Sequence, residues 1–439
     1  MPTFFIIILI IIFILISIYF ALNSKILAWD EYVYLGNARG HLTTSYHTED
    51  FRFPLLEYLI SVVWLVTGEN VLIAQFMMIL ISTALIYIFY LTLREYTEHS
   101  GILLAGFAFS PLLVFWGFRV YSDILSILLV SISFLLILKK SDWPDFLSGI
   151  FAGLGFLARF PLGLFSACTF FYHFYKRSWR RLLLFSSGIF SALLPWLLWN
   201  FLKYRNPIWD FQQQYLAVAK WSYWQPITLF LQNLVVHASI MVVLFFIGVY
   251  FLLRTKPECF EILIAYPLLS IIYYCFFVNL KDPRYIISFM PFFYIVGMIG
   301  AERTITKIKS GWWRKIVIGL VVIILIAPSA HQVKVIENSI ECSKKYAGIS
   351  GSIAYIDSHT ANGDYLLTNY NWPMYAYEAK VNATSLYDSN LSYLVRFHNA
   401  EYVVFSNYGE LYKLDYSMLE KVAEFKECSN KIEIYRVKY

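Results

Sequence analysis

The stretch FFIIILIIIFILISIYFAL, residues 4–22, carries no charge and is followed shortly by Trp29-Asp30-Glu31-Tyr32. About 20 apolar residues are needed for a helix to cross the hydrocarbon core of a bilayer. The run is longer and richer in Ile than the apolar part of a signal peptide, and no small-residue cleavage site follows it. It therefore predicts a retained first transmembrane span, after which two adjacent carboxylates stand in an aromatic setting.

The composition extends this prediction to the whole chain. Of 439 residues, 59% are hydrophobic and 15% are charged, and the mean hydropathy is +0.59. A soluble domain has about 45–50% apolar and about 25% charged residues. These values predict a polytopic α-helical membrane protein, multi-pass in the cell membrane. The net charge of +6 reflects basic loops, because no basic stripe is interleaved with aromatic residues as in a nucleic-acid surface, so no nucleic-acid partner is expected.

Apolar runs along the chain predict about eleven spans. Residues 23–54 form a loop of mixed character after the first span, and the run 55–67 is too short to cross and predicts an interfacial helix. The predicted spans are 4–22, 71–93, 101–118, 121–138, 146–160, 161–175, 182–202, 227–252, 259–279, 285–300 and 316–330.

Basic residues near the span ends predict the orientation. With eleven crossings, the loops at 139–140, 176–181, 254–256 and 303–315 all fall on one side, and their Lys and Arg residues place that side in the cytoplasm. The N-terminus is then cytoplasmic, and everything after residue 330 is extracytoplasmic.

Residues 331–439 are more polar and predict a small soluble α/β domain, separate from a transmembrane domain at 1–330. Strand-like runs begin at Asp364, Glu401 and Lys431, with helical stretches near 334–360 and 389–399. The five cysteines lack C-x-x-C spacing, which argues against zinc or iron–sulfur sites. Cys342 and Cys428 can pair if this part is extracytoplasmic.

The conspicuous charged residues gather at the predicted outer ends of the spans, whereas the span interiors are nearly free of them. His173 and His237 are the main interior exceptions, and both are interpreted as packing residues. A coupled transporter usually needs ionisable groups near the bilayer midplane, so this distribution weakens a transporter function. The outer groups are Asp30, Glu31, Arg52, Glu57, Arg119, Asp123, Arg159, Lys281, Asp282 and Arg284.

Cations at the membrane face together with nearby carboxylates fit the transfer of a sugar from a polyprenyl phosphate. The phosphate is a good leaving group, so Arg and Lys need only stabilise its developing charge. One carboxylate can act as the base for the acceptor hydroxyl. A second can orient the acceptor or hold a divalent cation such as Mg²⁺ or Mn²⁺, for which Asp30 and Asp123 are the candidate ligands.

Four motifs in this order resemble the GT-C glycosyltransferases, in particular the protein O-mannosyltransferases and the aminoarabinose transferases of lipid A (glycosyltransferase family 39 and its relatives). The resemblance covers roughly residues 1–300. The motifs are Trp29-Asp30-Glu31 with Arg52-Phe53-Pro54, Arg119-Val-Tyr-Ser-Asp123, Gly153-Leu-Gly-Phe-Leu-Ala-Arg159-Phe-Pro161, and Lys281-Asp-Pro-Arg284-Tyr285 followed by Pro291.

The resemblance implies an inverting transferase that uses a polyprenyl-phosphate-linked sugar, hexose or pentose, and an acceptor glycan, lipid or protein outside the cytoplasm. It implies that Asp30 is the catalytic base with Glu31 beside it, and that Asp123 is a second acid of the active site. Arg159 and Arg284 are implied as ligands of the donor phosphate, with Arg52 and Lys281 as further candidates. Phe53-Pro54 departs from the family's usual His-Pro-Pro or Lys-Pro, and no large insertion supports a protein acceptor.

Simpler interpretations of the same residues stay open. Asp30 and Glu31 can be a solvated loop pair, and Arg159 can snorkel at a helix end. Arg284 can pair with Asp282 or with lipid headgroups, and Asp123 can cap a helix. At the level of function, the alternatives are a lipid or polysaccharide transporter or flippase and a structural role in assembly.

Overall fold

The computed structural model describes residues 3–24, 27–43, 49, 51–98, 100–139, 141–221, 224–345, 348–361, 364–386, 391–407 and 416–438. Parts of four predictions lie outside these ranges: residues 25–26, 44–48 and 50 of the loop 23–54, Lys140, residues 346–347 of the stretch 334–360, and residues 389–390. The helices are α1 (Thr3–Asn23), α2 (Trp29–Thr43), α3 (Leu55–Thr67), α4 (Val71–Leu93), α5 (Ser100–Ala108), α6 (Pro111–Trp116), α7 (Ser122–Ile137), α8 (Asp142–Ala158), α9 (Gly163–Tyr175), α10 (Trp179–Tyr204), α11 (Trp209–Trp221), α12 (Ile227–Ala238), α13 (Met241–Thr255), α14 (Phe260–Phe276), α15 (Met290–Ile305), α16 (Gly311–Lys345), α17 (Gly348–His359), α18 (Trp372–Glu378) and α19 (Leu391–His398). Short 3₁₀ helices span Phe160–Leu162, Pro283–Ser288 and Tyr416–Met418, and the strands are β1 (Tyr365–Thr368), β2 (Asn382–Ser385), β3 (Ala400–Ser406), β4 (Leu419–Glu427) and β5 (Asn430–Val437).

This architecture, mostly helical with a small C-terminal sheet, confirms the predicted fold class but not the number of spans. Among the described residues, four helices are long and apolar enough to cross a membrane: Phe4–Asn23, Val71–Leu93, Trp179–Tyr204 and Gly311–Cys342. The pair α12 and α13 adds a fifth if it counts as one span, although it is bent by 88°.

Two predicted spans are divided in the structure at a proline, which lacks the backbone N–H that continues a helix. The predicted span 101–118 divides into α5 and α6, and Pro111 is the first residue of α6. The predicted span 285–300 begins as the 3₁₀ helix Pro283–Ser288 before α15 starts at Met290. Runs that are apolar along their whole length therefore contain helices shorter than a bilayer crossing.

Apolar side chains cover the outward faces of the long helices. Leu80 of α4 is 66% exposed, Leu183 of α10 is 70% exposed and Ile323 of α16 is 63% exposed. Soluble proteins rarely expose apolar surface on this scale, whereas lipid tails are as apolar as Leu. The protein is a membrane protein whose helices face lipid.

The described chain divides into two compact units. The first contains Met1–Ala21, Phe51–Leu59 and Leu72–Val333, and the second contains Leu22–Asp50, Ile60–Val71 and Lys334–Tyr439. Residues 22–50 and 60–71, which the sequence analysis assigned to the transmembrane part, belong to the second unit. The division at residue 330 therefore stays a prediction.

In the first unit, α8 and α10 approach each other closely through glycine. A Cβ atom on Gly149 would lie 2.0 Å from the carbonyl oxygen of Phe185, and one on Gly188 would lie 2.1 Å from that of Phe146. Small residues allow membrane helices to pack at such short distances. This contact holds α8, whose C-terminal end carries Arg159, against its neighbour.

The second unit contains a five-stranded sheet with the order β2-β1-β3-β5-β4. Strand β1 is parallel to β2 and β3, whereas β5 is antiparallel to β3 and β4. The predicted strands near Asp364, Glu401 and Lys431 are β1, β3 and β5. Strands β2 and β4 and helix α18 were not predicted, because their sequences lack a clear alternation of apolar and polar residues.

Cys342 and Cys428 form a disulfide that joins the end of α16 to the β4–β5 turn. Their Cα atoms are 5.9 Å apart and they are separated by 86 positions in the sequence. In the chain-entropy model, closing a loop of this length destabilises the unfolded state by about 4 to 5 kcal/mol. Disulfides persist in oxidising compartments, so this bond agrees with the predicted extracytoplasmic location.

Candidate active site

The first charged cluster lies where the helical hairpin α7–α8 opens. Asp123 is the second residue of α7, and Arg159 directly follows the last residue of α8. Consecutive helices with a short connection pack antiparallel, so the beginning of α7 meets the end of α8. Arg159 has an extended backbone, with φ −161° and ψ 116°, and therefore leaves the axis of α8 at this point.

Arg159 and Asp123 form a buried ion pair. The Nη1 atom of Arg159 donates a hydrogen bond of 2.5 Å to Oδ2 of Asp123, and the two side chains are 15% and 1% exposed. A carboxylate this buried needs a counter-ion, and its position in the first turn of α7 favours its charge further. The buried Nε atom of Arg159 has no hydrogen-bond partner in the described part of the chain. One donor of the guanidinium is therefore available to another acceptor.

Arg284 lies near the Arg159–Asp123 pair and belongs to the 3₁₀ helix between α14 and α15. Asp282 caps the 3₁₀ helix Pro283–Ser288 by accepting a hydrogen bond from the backbone N–H of Arg284 at 2.9 Å. The Nε atom of Arg284 lies 3.2 Å from Oδ2 of Asp282. The pairing of Arg284 with Asp282, one of the simpler interpretations of the sequence, is thus present.

The two arginines share one aromatic ring. The guanidinium carbons of Arg159 and Arg284 lie 5.3 Å and 5.7 Å from the centroid of the Tyr285 ring. Arg284 also lies 5.3 Å from the ring centroid of Tyr121, and Tyr274 stacks on Tyr285 at 4.9 Å. Cation–π contacts hold guanidinium groups in place without consuming their N–H donors. The cluster of Asp123, Arg159, Arg284 and Tyr285, called the arginine cluster below, therefore holds two guanidinium groups against one aromatic ring.

Arg52 lies beside an aromatic anchor of the same unit. Phe53 is 3% exposed, and its ring packs against Phe156 at 5.4 Å and stacks on Trp196 at 5.6 Å. Phe156 belongs to the last turn of α8, three residues before Arg159. Phe53, which departs from the family pattern, is thus a packing residue, and it fixes the segment of Arg52 against the end of α8.

Lys281 has a different environment from the arginines. Its Nζ atom donates to the carbonyl oxygens of Tyr274 at 2.9 Å, Cys275 at 2.8 Å and Val278. An ammonium group has three donors, and these contacts use all of them. The geometry favours stabilisation of the C-terminal end of α14 by Lys281, and its role as a phosphate ligand stays a prediction.

Asp30 and Glu31 belong to the second unit and open α2, a helix that the sequence analysis missed within the predicted loop 23–54. Both are buried, with 9% and 1% exposed. The Oε2 atom of Glu31 accepts a hydrogen bond of 2.9 Å from the backbone N–H of Ala28, the residue before the helix. This is the carboxylate half of a capping box, so the pair is not a solvated loop pair. Acidic residues in a first turn also interact favourably with the helix dipole.

A family model described as dolichyl-phosphate-mannose-protein mannosyltransferase matches residues 51–203 of the chain. A comparison with curated protein sequences finds no match to the chain. Solved structures are similar over much longer ranges. ArnT from Cupriavidus metallidurans bound to undecaprenyl phosphate has a TM-score of 0.69 at 11% identity, over 99% of this chain and 98% of ArnT.

Two further structures are similar. The oligosaccharyltransferase of Archaeoglobus fulgidus has a TM-score of 0.59 at 13% identity, over 91% of this chain and 68% of that protein. The arabinofuranosyltransferase AftD from Mycobacteria has a TM-score of 0.56 at 12% identity, over 98% of this chain and 40% of AftD. All three are GT-C glycosyltransferases. The chain has the GT-C fold.

The family match and the site overlap in part. Arg52, Asp123 and Arg159 lie within the matched residues of this chain, whereas Asp30 and Arg284 lie outside them. Among the predicted site residues of the first unit, the structure brings Asp123, Arg159 and Arg284 together. The relation of Asp30 and Glu31 to this cluster stays a prediction.

Sequence reasoning missed the tyrosines that hold the arginines. Tyr121 lies two positions from both Arg119 and Asp123, and Tyr285 directly follows Arg284. A tyrosine close to charged residues in both motifs was the signal that could have indicated these contacts. Within the described ranges, no group of three or more His, Cys, Asp or Glu side chains is arranged to hold a metal ion. The suggested divalent cation at Asp30 and Asp123 also stays a prediction.

Proposed function

We propose that the protein is a membrane glycosyltransferase that transfers a sugar from a polyprenyl phosphate to an acceptor hydroxyl at the extracytoplasmic face, with inversion at the anomeric carbon. The observation that carries this proposal is the arginine cluster, in which Arg159 and Arg284 lie against one tyrosine ring. The similarity to an ArnT structure with bound undecaprenyl phosphate and to a dolichyl-phosphate-mannose transferase model supports the same donor class.

In the proposed reaction the acceptor oxygen attacks the anomeric carbon and forms the new glycosidic bond. The bond from that carbon to the phosphate oxygen breaks, and its electron pair goes to the phosphate. Arg159 and Arg284 stabilise the charge that develops there through charge-assisted hydrogen bonds. Asp123 keeps Arg159 in its place, and Arg52 is a further candidate for contact with the phosphate.

The proton of the acceptor hydroxyl goes to a carboxylate, and the resemblance assigns this role to Asp30. A general base must lie within hydrogen-bond reach of the proton that it removes. The orientation argued from basic loops places Asp30 and the C-terminal sheet outside the cytoplasm. A divalent cation could assist at the phosphate, and the acceptor could be a glycan, a lipid or a protein.

The test is a transfer assay with the full chain in proteoliposomes. Undecaprenyl phosphates linked to a radiolabelled hexose or pentose serve as donors, and an extract of cell-envelope glycans and lipids serves as the acceptor. We expect acceptor-dependent release of undecaprenyl phosphate together with label in the acceptor fraction. Label that crosses the bilayer on an intact donor, with no release of the lipid phosphate, would instead indicate a transporter and contradict the proposal.

A further inference from the structure

Arg39, on the third turn of α2, joins three segments of the second unit. Its Nε atom donates to Oε1 of Glu69 at 2.8 Å, and its Nη2 atom donates to the same oxygen. Its Nη1 atom donates to the carbonyl oxygen of Tyr377 at 2.8 Å. Glu69 lies in the connection between α3 and α4, and Tyr377 lies on α18. One side chain thus ties α2 to a loop and to a helix of the C-terminal part.

The same guanidinium also lies on an aromatic face. Its central carbon is 3.9 Å from the centroid of the Tyr377 ring, and the Arg39 side chain is 14% exposed. Burial opposes the ionisation of Glu69, but the hydrogen bond and charge of Arg39 outweigh it and lower the pKa of that carboxyl below its ordinary value. The planar fork of Arg, rather than a point charge, is what allows these contacts at once.

Helix α18 contacts α2 along one face. Trp29 meets Trp372 edge to face at 5.8 Å between ring centroids, and Tyr32 lies 5.9 Å from Tyr377. Residues three and seven positions apart on a helix share a face, so Trp29, Tyr32 and Arg39 present one side of α2 to α18. On this side Tyr32 is 1% exposed, whereas Trp29 at the beginning of the helix is 37% exposed, so the contact is packed most tightly around Tyr32.

Asp30 is the neighbour of Trp29 on the same helix. Any rotation or shift of α2 therefore moves the Asp30 carboxylate, and a displacement of about 1 Å can cost about 100-fold in the rate of a positioned reaction. We propose that Arg39, Glu69 and α18 act as a clamp that positions α2, so that the C-terminal α/β part serves the reaction by fixing the helix of the base. This inference rests on the proposed function, since it takes Asp30 as the base.

The test compares Arg39→Gln with wild type in the transfer assay. The clamp predicts a kcat lowered about 10- to 100-fold, with the KM for the polyprenyl-phosphate donor changed by less than about twofold. Tyr377→Leu removes both the ring and the hydroxyl that hydrogen-bonds to Glu69, and it is expected to lower kcat similarly. Tyr377→Phe keeps the ring and the backbone carbonyl but loses that hydroxyl, so it should lower kcat less than Tyr377→Leu does.

Lys421→Gln is the matched control. Lys421 forms ion pairs with Glu424 and Glu433 on β4 and β5 of the same unit, away from α2 and α18 in the sequence. Its removal should leave kcat unchanged. A wild-type kcat in Arg39→Gln, or an equal loss in the Lys421→Gln control, would overturn the clamp.

Hydrogen exchange separates failure of the clamp from failure of the proposed function, because it needs no activity. In Arg39→Gln the backbone amides of α2 should exchange faster than in wild type, while those of β4 and β5 keep their wild-type rates. Unchanged exchange in α2 would refute the clamp even if transfer is observed. Faster exchange in α2 without any transfer by wild type would support the clamp as a structural device and refute the proposed function.

Discussion

Replacing Asp30 by Asn is expected to lower the rate of sugar transfer by about 100- to 10,000-fold, the range that a general base contributes. The amide is nearly the same size as the carboxylate, but it cannot accept the acceptor proton. The protein should still insert into the membrane and fold, because Asn keeps the volume of this 9% exposed side chain. The measurement is kcat in the proteoliposome assay, with the thermal unfolding midpoint as a check on folding.

Glu31→Gln is the control for Asp30→Asn. The carboxylate of Glu31 accepts the backbone N–H of Ala28, and the amide oxygen of Gln can accept the same hydrogen bond. We therefore expect this variant to retain most of the transfer rate, with at most a small loss of stability. A transfer rate near wild type in Asp30→Asn would remove Asp30 from the mechanism, and an equal loss in both variants would contradict the assignment of Asp30 alone as the base.

The second large effect is expected from Arg284→Gln. A hydrogen bond to a charged group contributes about 1.5–3 kcal/mol, so losing the contact with the charge that develops on the donor phosphate should lower kcat/KM for the donor about 10- to 150-fold. Arg284 is the better choice for this test, since Arg159→Gln would also leave the buried carboxylate of Asp123 without its partner. Breaking such a pair costs about 3–5 kcal/mol of stability, which would confuse binding with folding.

The matched control for Arg284→Gln is Arg180→Gln. Arg180, in the first turn of α10, pairs with Asp142, the first residue of α8, and its side chain is 79% exposed. The basic residues predict that these helix ends face the cytoplasm. Removal of Arg180 also deletes one Arg–Asp pair, but kcat/KM for the donor should be unchanged. A wild-type kcat/KM in Arg284→Gln would exclude Arg284 as a ligand of the donor phosphate.

Much of the helical part could be predicted, because an apolar run in lipid must satisfy its backbone hydrogen bonds within a helix. The predicted span 71–93 and the interfacial helix 55–67 have the same bounds as α4 and α3. Helix α2 could not be predicted in this way. Its sequence WDEYVYLGNARGHLT contains two glycines and no amphipathic period, and it is buried nearly all round by tertiary packing.

The charged residues of the candidate site could be predicted from their positions in the sequence. Asp123, Arg159 and Arg284 were named because each stands at a predicted span end, and helical hairpins and turns bring such ends together. The number of crossings stays a prediction, because hydropathy measures how apolar a run is and not where its helix breaks. The difference between Lys281, which uses its donors on carbonyl oxygens, and the two arginines depends on side-chain directions that spacing does not encode.

The most direct test of the arginine cluster is a cryo-EM structure of the full chain in lipid nanodiscs with undecaprenyl phosphate. The proposed function predicts phosphate oxygens at about 2.7–2.9 Å from guanidinium nitrogens of both Arg159 and Arg284, the usual length of a charge-assisted hydrogen bond. A lipid phosphate bound elsewhere, with neither arginine in contact with it, would contradict the assignment of this cluster as the donor site.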